Sequence, residues 1–333
     1  MNPLDERMHP VRNEPAWSES YYFNFVDPDS KLAMFTRMGF RPGDAWADGL
    51  HAVYLGGDRV AFTYGRRSIQ GDLTQYDGDL SVGGLKLECV EPFGLWRVGY
   101  SGPAQDIADA AILLERSKLR PEGWYRDATL TMSVDFRALT EPHYAPMGTG
   151  SRGHFEQTGQ VRGAITIGGQ TTQVAGFGVR DKSWGPRDWG AAAPASGSTN
   201  APAKTTGPAP FVNWFSMNFG EALALGGSCG RAADGVMRGA GWIHHDGRTE
   251  DLSDVVIESA YKPDSILHTS VRLTGRAANG RNIVVDGRIL TVCPTKIPMP
   301  GGATFVNEGL AEFRSDGLVG YGISEHWHKV GGA

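Results

Sequence analysis

Residues 160–174 read QVRGAITIGGQTTQV, and this stretch decides the fold class. It begins with an extended run rich in β-branched residues and ends in a second, shorter run up to Val174. Between the two runs lie Gly168 and Gly169, and such a pair readily adopts the positive φ angles of a tight hairpin turn. The stretch therefore predicts an antiparallel β-hairpin.

Segments farther from this hairpin carry the same signal. In residues 129–136 the even positions are apolar and the odd ones polar, which is typical of a half-buried strand. Residues 282–292 are rich in valine and isoleucine and also predict a strand. Residues 105–119 favour a short helix. With 46 glycines and 19 prolines separating short segments, we expect an all-β chain with few short helices, built as antiparallel β-barrels or sandwiches.

The sequence also indicates two similar halves. Phe23 and Phe215 are 192 positions apart, as are Gly49 and Gly241, and each pair begins or continues a similar strand pattern. Residues 190–210 (GAAAPASGSTNAPAKTTGPAP) have no large apolar side chain, which is typical of an interdomain linker or a mobile lid. We therefore predict one β domain over residues 1–189, a linker or lid over 190–210, and a second β domain over 211–333.

Composition narrows the class of protein. A hydrophobic content of 40% with 21% charged residues is that of a soluble globular chain. The net charge of -5 gives no reason to expect a nucleic-acid or membrane partner. Three widely spaced cysteines suggest neither a disulfide framework nor a metal site, and the N-terminus lacks the apolar core of a secretion signal. We expect a cytoplasmic protein without stable membrane insertion, and the oligomeric state stays open.

Residues 180–189 (RDKSWGPRDW) are the densest polar segment of the chain. Ionisable side chains beside tryptophans are costly to bury unless they are paired, so the segment indicates a built polar site. The alternative is an Arg–Asp ion-pair network that holds the seam between the two domains, with Trp184 and Trp189 as packing anchors. Asp181 follows a glycine-rich strand end (residues 176–178) that we expect to aim its carboxylate inward.

Four short blocks together resemble the carotenoid 1,2-hydratase/AttH-like superfamily: residues 19–25 (ESYYFNF), 154–157 (HFEQ), 176–189 and 320–327 (GYGISEHW). The resemblance implies two lipocalin-like β-barrel domains packed together. It also implies activity on hydrophobic substrates, since members add water to isoprenoid double bonds and relatives of similar architecture act as cyclases on polyenes. Histidine often follows the aspartate in such motifs, whereas this chain has Lys182.

Hydration of an alkene needs a proton donor, a positioned water and aromatic faces that stabilise a carbocation. A carboxyl group kept protonated by an apolar pocket can be the donor. Strand alternation sends His154 and Glu156 to one face, where they form either a proton relay or a satisfied polar pair. The candidate catalytic residues are Asp181, Glu156, His154, Tyr321 and Glu325, and the candidate substrate-binding residues are Trp184, Trp189, Trp327, Tyr22 and Trp214. At the C-terminus, His326 and His328 fall on the face opposite Glu325 and are expected to be exposed.

The leading hypothesis is a cofactor-independent hydro-lyase (hydratase or dehydratase) or isomerase that acts by acid–base chemistry on an isoprenoid-like or polycyclic small molecule. Two alternatives stay open, a non-catalytic carrier of a hydrophobic ligand and a cyclase that preorganises a polyene. We expect no cofactor and no metal. The His244-His245-Asp246-Gly247 segment is interpreted as a hairpin turn, because adjacent histidines on a strand point to opposite faces.

Overall fold

The computed structural model describes residues 2–11, 16–146, 152–187, 209–299 and 302–331. Within these residues the chain is all-β, as predicted, and its helical segments are short 3-10 helices. The chain divides into two compact units. The first comprises Met1–Ala108 and Gly123–Arg187, and the second comprises Asp109–Glu122 and Asp188–Ala333.

The first unit is one antiparallel sheet that curls until the strand at one end of the sheet pairs with a strand inside it. Its described strands are β1 (Trp17–Asp27), β2 (Leu32–Arg41), β3 (Trp46–Tyr54), β4 (Val60–Ser68), β5 (Leu80–Val82), β6 (Leu85–Glu91), β7 (Leu95–Ile107), β8 (Arg126–Ala138), β9 (His143–Tyr144), β10 (Gly153–Ile167) and β11 (Gln170–Pro186). The strand order is β4-β3-β2-β1-β11-β10-β8-β7-β6-β5, and β4 also pairs with β7. Its 3-10 helices are Pro3–Glu6, Pro42–Asp44 and Leu73–Tyr76.

The core of the first unit confirms the alternation predicted for β8. Leu130, Met132, Val134 and Phe136 are buried on one face of this strand, because residues two apart leave a strand on the same side. The predicted hairpin is also confirmed, since β10 and β11 are joined by a turn at Gly168 and Gly169 with φ angles of 57° and 85°. This hairpin carries the polar segment of residues 180–187.

The second unit is a closed antiparallel barrel of eight described strands. They are β12 (Val212–Asn218), β13 (Leu223–Arg231), β14 (Met237–His245), β15 (Arg248–Tyr261), β16 (His268–Ala277), β17 (Asn282–Met299), β18 (Gly302–Ser315) and β19 (Leu318–Gly331). Closure pairs β12 with β19, and the interior is filled by apolar residues such as Phe215, Leu273 and Phe313. The strand predicted over residues 282–292 lies within β17.

Residues 109–122 belong with the second unit although they interrupt the sequence of the first. They form the 3-10 helices Ala110–Leu114 and Ser117–Leu119 in place of the single helix predicted over residues 105–119, while β7 extends to Ile107. Leu114 packs against Ile266 and Phe305 of the barrel. The helical spacing of apolar residues therefore reflected one anchoring side chain rather than a helix.

The internal repeat seen in the sequence falls on corresponding strands. Phe23 and Phe215 lie on β1 and β12, the first strand of each unit, and Gly49 and Gly241 lie on β3 and β14, the third. Most of the predicted linker or lid, residues 190–208, lies outside the described residues. Cys89, Cys229 and Cys293 are free thiols. Among the described residues, no helix combines the length and the apolar character needed to span a membrane.

Candidate active site

Three ionisable side chains meet on one face of the β10–β11 hairpin. The Nε2 atom of His154 lies 2.6 Å from Oδ2 of Asp181 and 3.4 Å from Oε1 of Glu156. Glu156 and Asp181 are direct cross-strand partners, and His154 precedes Glu156 by two positions, so all three side chains leave the sheet on the same side. We call these three residues the His154 cluster. Strand alternation predicted that His154 and Glu156 share a face, but the sequence could not place Asp181 beside them.

Local backbone requirements fix this arrangement. The tight turn at Gly168 and Gly169 sets the β10–β11 register, and this register continues without a bulge to Gly153 and Trp184. On the other side of β11, a Cβ atom on Gly178 would lie only 1.7 Å from the carbonyl oxygen of Asn24. The glycine therefore lets β1 and β11 pair closely just before the polar segment begins.

The charge of His154 is set by opposing effects. Burial lowers the pKa of its imidazole, but the carboxylates of Asp181 and Glu156 more than offset that effect and raise the pKa above its ordinary value. The guanidinium of Arg187 acts weakly in the opposite direction. A protonated ring donates to Asp181 and neutralises one of two adjacent carboxylates. The two carboxylates thus make the imidazole of His154 a stronger base than that of a free histidine.

Tyr22, a candidate substrate-binding residue, borders the cluster. It is the β1 partner of Asp181 and is 7% exposed, so its aromatic ring leaves the sheet beside that carboxylate. The neighbouring pair of Ser20 and Ser183 shares a hydrogen bond of 2.9 Å, and Arg187 donates to Ser183 over 3.1 Å. One aromatic ring and two hydroxyls therefore adjoin the His154 cluster.

The inward orientation expected for Asp181 is wrong. Its neighbours Arg180 and Lys182 face the apolar core of the first unit, and Asp181 leaves β11 on the opposite side because alternate residues point to opposite faces. Arg180 donates to both carboxylate oxygens of Glu6 over 2.6 and 2.9 Å. Lys182 is paired with Glu19. Arg180 is therefore held by a buried ion pair with Glu6, not by an aspartate of residues 180–189.

Trp184 also lies on the core side, away from Asp181. Its ring stacks on the imidazole of His9 with 4.2 Å between centroids, and His9 in turn contacts Glu19 over 3.0 Å. Burial by itself raises the pKa of Glu19, but Lys182 and His9 together hold it below its ordinary value. The indole expected to shelter a cation near Asp181 instead covers the buried Lys182–Glu19 pair.

The C-terminal candidates gather on one face of the second unit. Trp214 on β12 is the cross-strand partner of Glu325 on β19, and Nε1 of Trp327 donates to the same carboxylate. Tyr321 lies on this face too, four positions earlier on β19. Glu308 on β18 pairs directly with Glu325, and both are buried, at 4% and 8% exposure. Sequence reasoning did not identify Glu308.

The two units repeat this pattern at the offset found in the sequence. Tyr22 and Trp214 are 192 positions apart and occupy the first strand of their units. In each unit the partner of that aromatic residue on the last strand is a carboxylate, Asp181 or Glu325. The next strand supplies a second carboxylate, Glu156 or Glu308, respectively. Each unit therefore carries an aromatic residue followed by a cross-strand pair of carboxylates.

A sequence model described as a domain of unknown function, DUF7064, matches residues 2–330. The chain belongs to the DUF7064 family. No curated protein matches the sequence. The match of this family model includes both units and every residue of the His154 cluster.

Solved structures share the fold of this DUF7064 member at low identity. A candidate AttH protein from Nitrosomonas europaea is 13% identical, with a TM-score of 0.59 over 95% of this chain and 94% of that one. CghA with Sch210972 gives 12% identity and a TM-score of 0.54 over 98% and 94%. Kievitone hydratase from Nectria haematococca gives 11% and 0.54 over 98% and 93%. The AttH-like fold predicted from the sequence blocks is thereby supported.

The His154 cluster could hold a divalent cation. One ligand atom from each of its three residues lies within 4.8 Å of the others, and a mixed imidazole and carboxylate set suits several first-row metals. The sequence did not predict this donor set. Residues 244–247 form the hairpin turn predicted for them, in which Asp246 and Gly247 have φ angles of 50° and 73°.

The expectation that His326 and His328 are exposed is wrong. Both lie opposite Glu325, as alternation predicts, but that face is the barrel interior and each is fully buried. The His326 ring stacks on His268 with 3.7 Å between centroids, and its Nδ1 is hydrogen-bonded to Tyr261 over 2.9 Å. Burial first, and then the neighbouring histidines, holds the pKa of His326 well below its ordinary value.

Trp189, predicted to bind substrate, lies outside the described residues, as does Asp188. Sequence reasoning also missed Glu6, Glu19 and His9, which neutralise or cover the buried cations of β11. No short-range signal pointed to them, since an acidic residue in a polar N-terminal segment is usually solvated. The only indication was the excess of cationic side chains in residues 180–187, because buried cations need carboxylate partners from elsewhere in the chain.

Proposed function

We propose that this chain is a lyase or isomerase that acts by acid–base chemistry on a hydrophobic, isoprenoid-like or polycyclic small molecule. The His154 cluster is the proton-transferring group. Hydration and its reverse require a proton donor, a proton acceptor and a water, but no electron carrier. The proposal therefore needs no cofactor.

A single observation carries this proposal. His154 is shared between two carboxylates that are direct partners across strands, and these carboxylates raise the pKa of its imidazole above the ordinary value. A structural ion pair needs one carboxylate for one cation, whereas a donor–acceptor set needs a proton that can move and a second group to receive one. Glu156 and Asp181 supply both positions next to one imidazolium.

The steps of a hydration follow from the arrangement. The proton held between His154 and Asp181 is transferred to one alkene carbon, which leaves a cation on the other. The ring of Tyr22 lies beside Asp181, and such a contact stabilises a cation by about 0.5–2 kcal/mol. Water then forms the new C–O bond, and Glu156 accepts the proton that the water loses. The reverse order of these steps gives dehydration.

The comparisons support this reaction class through the fold. One structure of the same fold is named a hydratase, and another is a complex with a small molecule. Together with the sequence blocks, they favour membership of the carotenoid 1,2-hydratase/AttH-like superfamily. Because identities of 11–12% carry the fold alone, the assignment of residues rests on the geometry of the His154 cluster.

Two other functions make different predictions. A carrier of a hydrophobic ligand binds without turnover, and it has little use for three ionisable groups in contact. A cyclase that preorganises a polyene is sensitive to the shape of its pocket and tolerant of changes at carboxylates. The His154 cluster favours acid–base catalysis over both.

The test uses isotopic water and a panel of apolar alkenes. The purified protein is incubated with isoprenoid and prenylated aromatic compounds in H₂¹⁸O, and the products are analysed by mass spectrometry for gain of one labelled water. We expect Asp181→Asn to lower turnover by about 100-fold or more while substrate binding is retained. Asp135→Asn is the matched control, since Asp135 lies on β8 of the same sheet and is 46% exposed.

Full turnover in Asp181→Asn and in His154→Gln would overturn the proposal. Bound compounds that are recovered unchanged would instead support a carrier. Turnover that is lost on treatment with a chelator and restored by a divalent metal would show that the three side chains act as metal ligands rather than as a proton relay.

A further inference from the structure

The first unit closes on itself over only a short stretch. β4 pairs with β7 through Val60, Ala61 and Phe62, although β4 continues to Ser68. Beyond Phe62 the two strands separate, and the β5–β6 turn stands beside the gap. A cavity of about 620 Å³ opens there, which lies within the range of small-molecule sites.

Residues of both faces of the sheet line this cavity, so it passes through the wall of the unit. Thr63, Gly65 and Tyr100 lie on the core side of β4 and β7, and Tyr64 and Asp127 lie toward the outside. Its aromatic residues are Phe62, Tyr64, Tyr100 and Tyr125. The His154 cluster is not part of this lining.

His51 contacts the lining residue Tyr100 but is not itself part of the lining. Its ring stacks on Tyr100 with 5.4 Å between centroids, and His51 is the cross-strand partner of Thr63. The side chain is fully buried, and the Phe35 backbone is its hydrogen-bonding neighbour. Burial lowers the pKa of the imidazole to about 3, against a smaller opposing effect of the Phe35 backbone, so the ring is neutral.

We propose that the cavity between β4 and β7 is a second small-molecule site, which binds a neutral, planar ring compound. The site is separate from the proposed acid–base group and does not depend on its function.

The residues that line the cavity favour this class of ligand. Four aromatic side chains can stack on or edge a flat ring system, whereas the hydroxyls of Thr63 and Tyr100 already donate to the backbone carbonyls of His51 and Pro103. Among the described residues that line the cavity, Asp127 is the only carboxylate and there is no lysine, arginine or histidine, so the lining offers an anion no cationic partner. A cation could contact Asp127 but would find no counter-charge at the inner end.

The test uses prodan, a neutral naphthalene with a ketone oxygen, whose fluorescence reports the polarity around it. We expect saturable, blue-shifted emission with the full-length protein. Gly65→Phe should weaken binding by about 10-fold or more, because the added ring occupies the cavity. The matched control is Gly43→Phe, in the same unit, where an added Cβ meets no atom within 4 Å. Circular dichroism verifies that each variant is folded.

If Gly65→Phe does not fold, Tyr64→Ser replaces it, since Tyr64 is 49% exposed and its loss removes one aromatic wall without disturbing the core. Affinity equal to the wild type in a folded cavity variant would overturn the proposal, as would the absence of saturable binding to the wild type. Binding that is lost in Asp181→Asn but kept in Gly65→Phe would overturn it too, because the ring would then lie at the His154 cluster.

Discussion

His154 donates to Asp181 across the β10–β11 hairpin, with 2.6 Å between Nε2 and Oδ2. Because the same nitrogen lies 3.4 Å from Glu156, one imidazolium serves two carboxylates. This sharing makes the proton of His154 the most directly measurable property of the proposed active site.

The first prediction concerns the titration of His154. Asp181 and Glu156 raise its pKa, so Asp181→Asn removes one of the two causes and the ring should titrate at a lower pH than in the wild type. Since the folded pKa is raised, the stabilisation from this contact is full at low pH and is lost as the pH rises through that pKa. Two-dimensional NMR of the imidazole nitrogens measures the shift. Asp135→Asn should leave the titration unchanged, and an unshifted pKa in Asp181→Asn would refute the prediction.

The second prediction concerns acid stability. Burial lowers the pKa of both His51 and His268 to about 3, so between pH 6.5 and 3 only the unfolded chain takes up these protons. The free energy of unfolding should therefore fall by about 1.4 kcal/mol for each histidine and each pH unit over that range. Urea unfolding of the wild type and of His51→Phe at a series of pH values gives the slopes. The variant should lose less stability on acidification, and equal slopes would contradict the assignment.

The third prediction concerns the buried charge of Arg180. Glu6 and Arg180 are 3% and 1% exposed, so Glu6→Gln leaves a guanidinium inside an aromatic core and should cost about 3–5 kcal/mol. Thermal unfolding measures the loss. The exposed Arg97–Asp135 pair is the control, and Asp135→Asn should cost no more than about 1 kcal/mol. The double variant Glu6→Gln/Arg180→Met should regain much of the loss. If the double variant does not regain stability, the loss in Glu6→Gln comes from contacts of Glu6 other than its ion pair with Arg180.

The fourth prediction concerns the junction of β1 and β11. Gly178→Ala brings a Cβ atom to within 1.7 Å of the Asn24 carbonyl oxygen, so the strands must separate. The expected cost is about 2–3 kcal/mol of unfolding free energy. In Gly43→Ala the added Cβ meets no atom within 4 Å, so the unfolding free energy should differ from that of the wild type by no more than about 0.5 kcal/mol. Equal melting temperatures for the two variants would show that the contact is easily relaxed.

Local patterns were sufficient for the strands and for the face that some residues share. The turn at Gly168 and Gly169 and the alternation of β8 need only neighbouring residues, because strand geometry repeats every two positions. The same rule placed His154 with Glu156 and put His326 opposite Glu325. Predictions of this kind hold because they depend on the residues of a single strand or turn.

The sequence by itself therefore determined the all-β class, the hairpin that carries the site and the relative facing of residues along each strand. Tertiary structure alone decided which face is the core, and so reversed the expectations for Asp181, Trp184, His326 and His328. The physical reason is that alternation is symmetric between the two faces of a strand. What breaks the symmetry is pairing at long range: Arg180 and Lys182 can point inward because Glu6 and Glu19, far away in the sequence, neutralise them there.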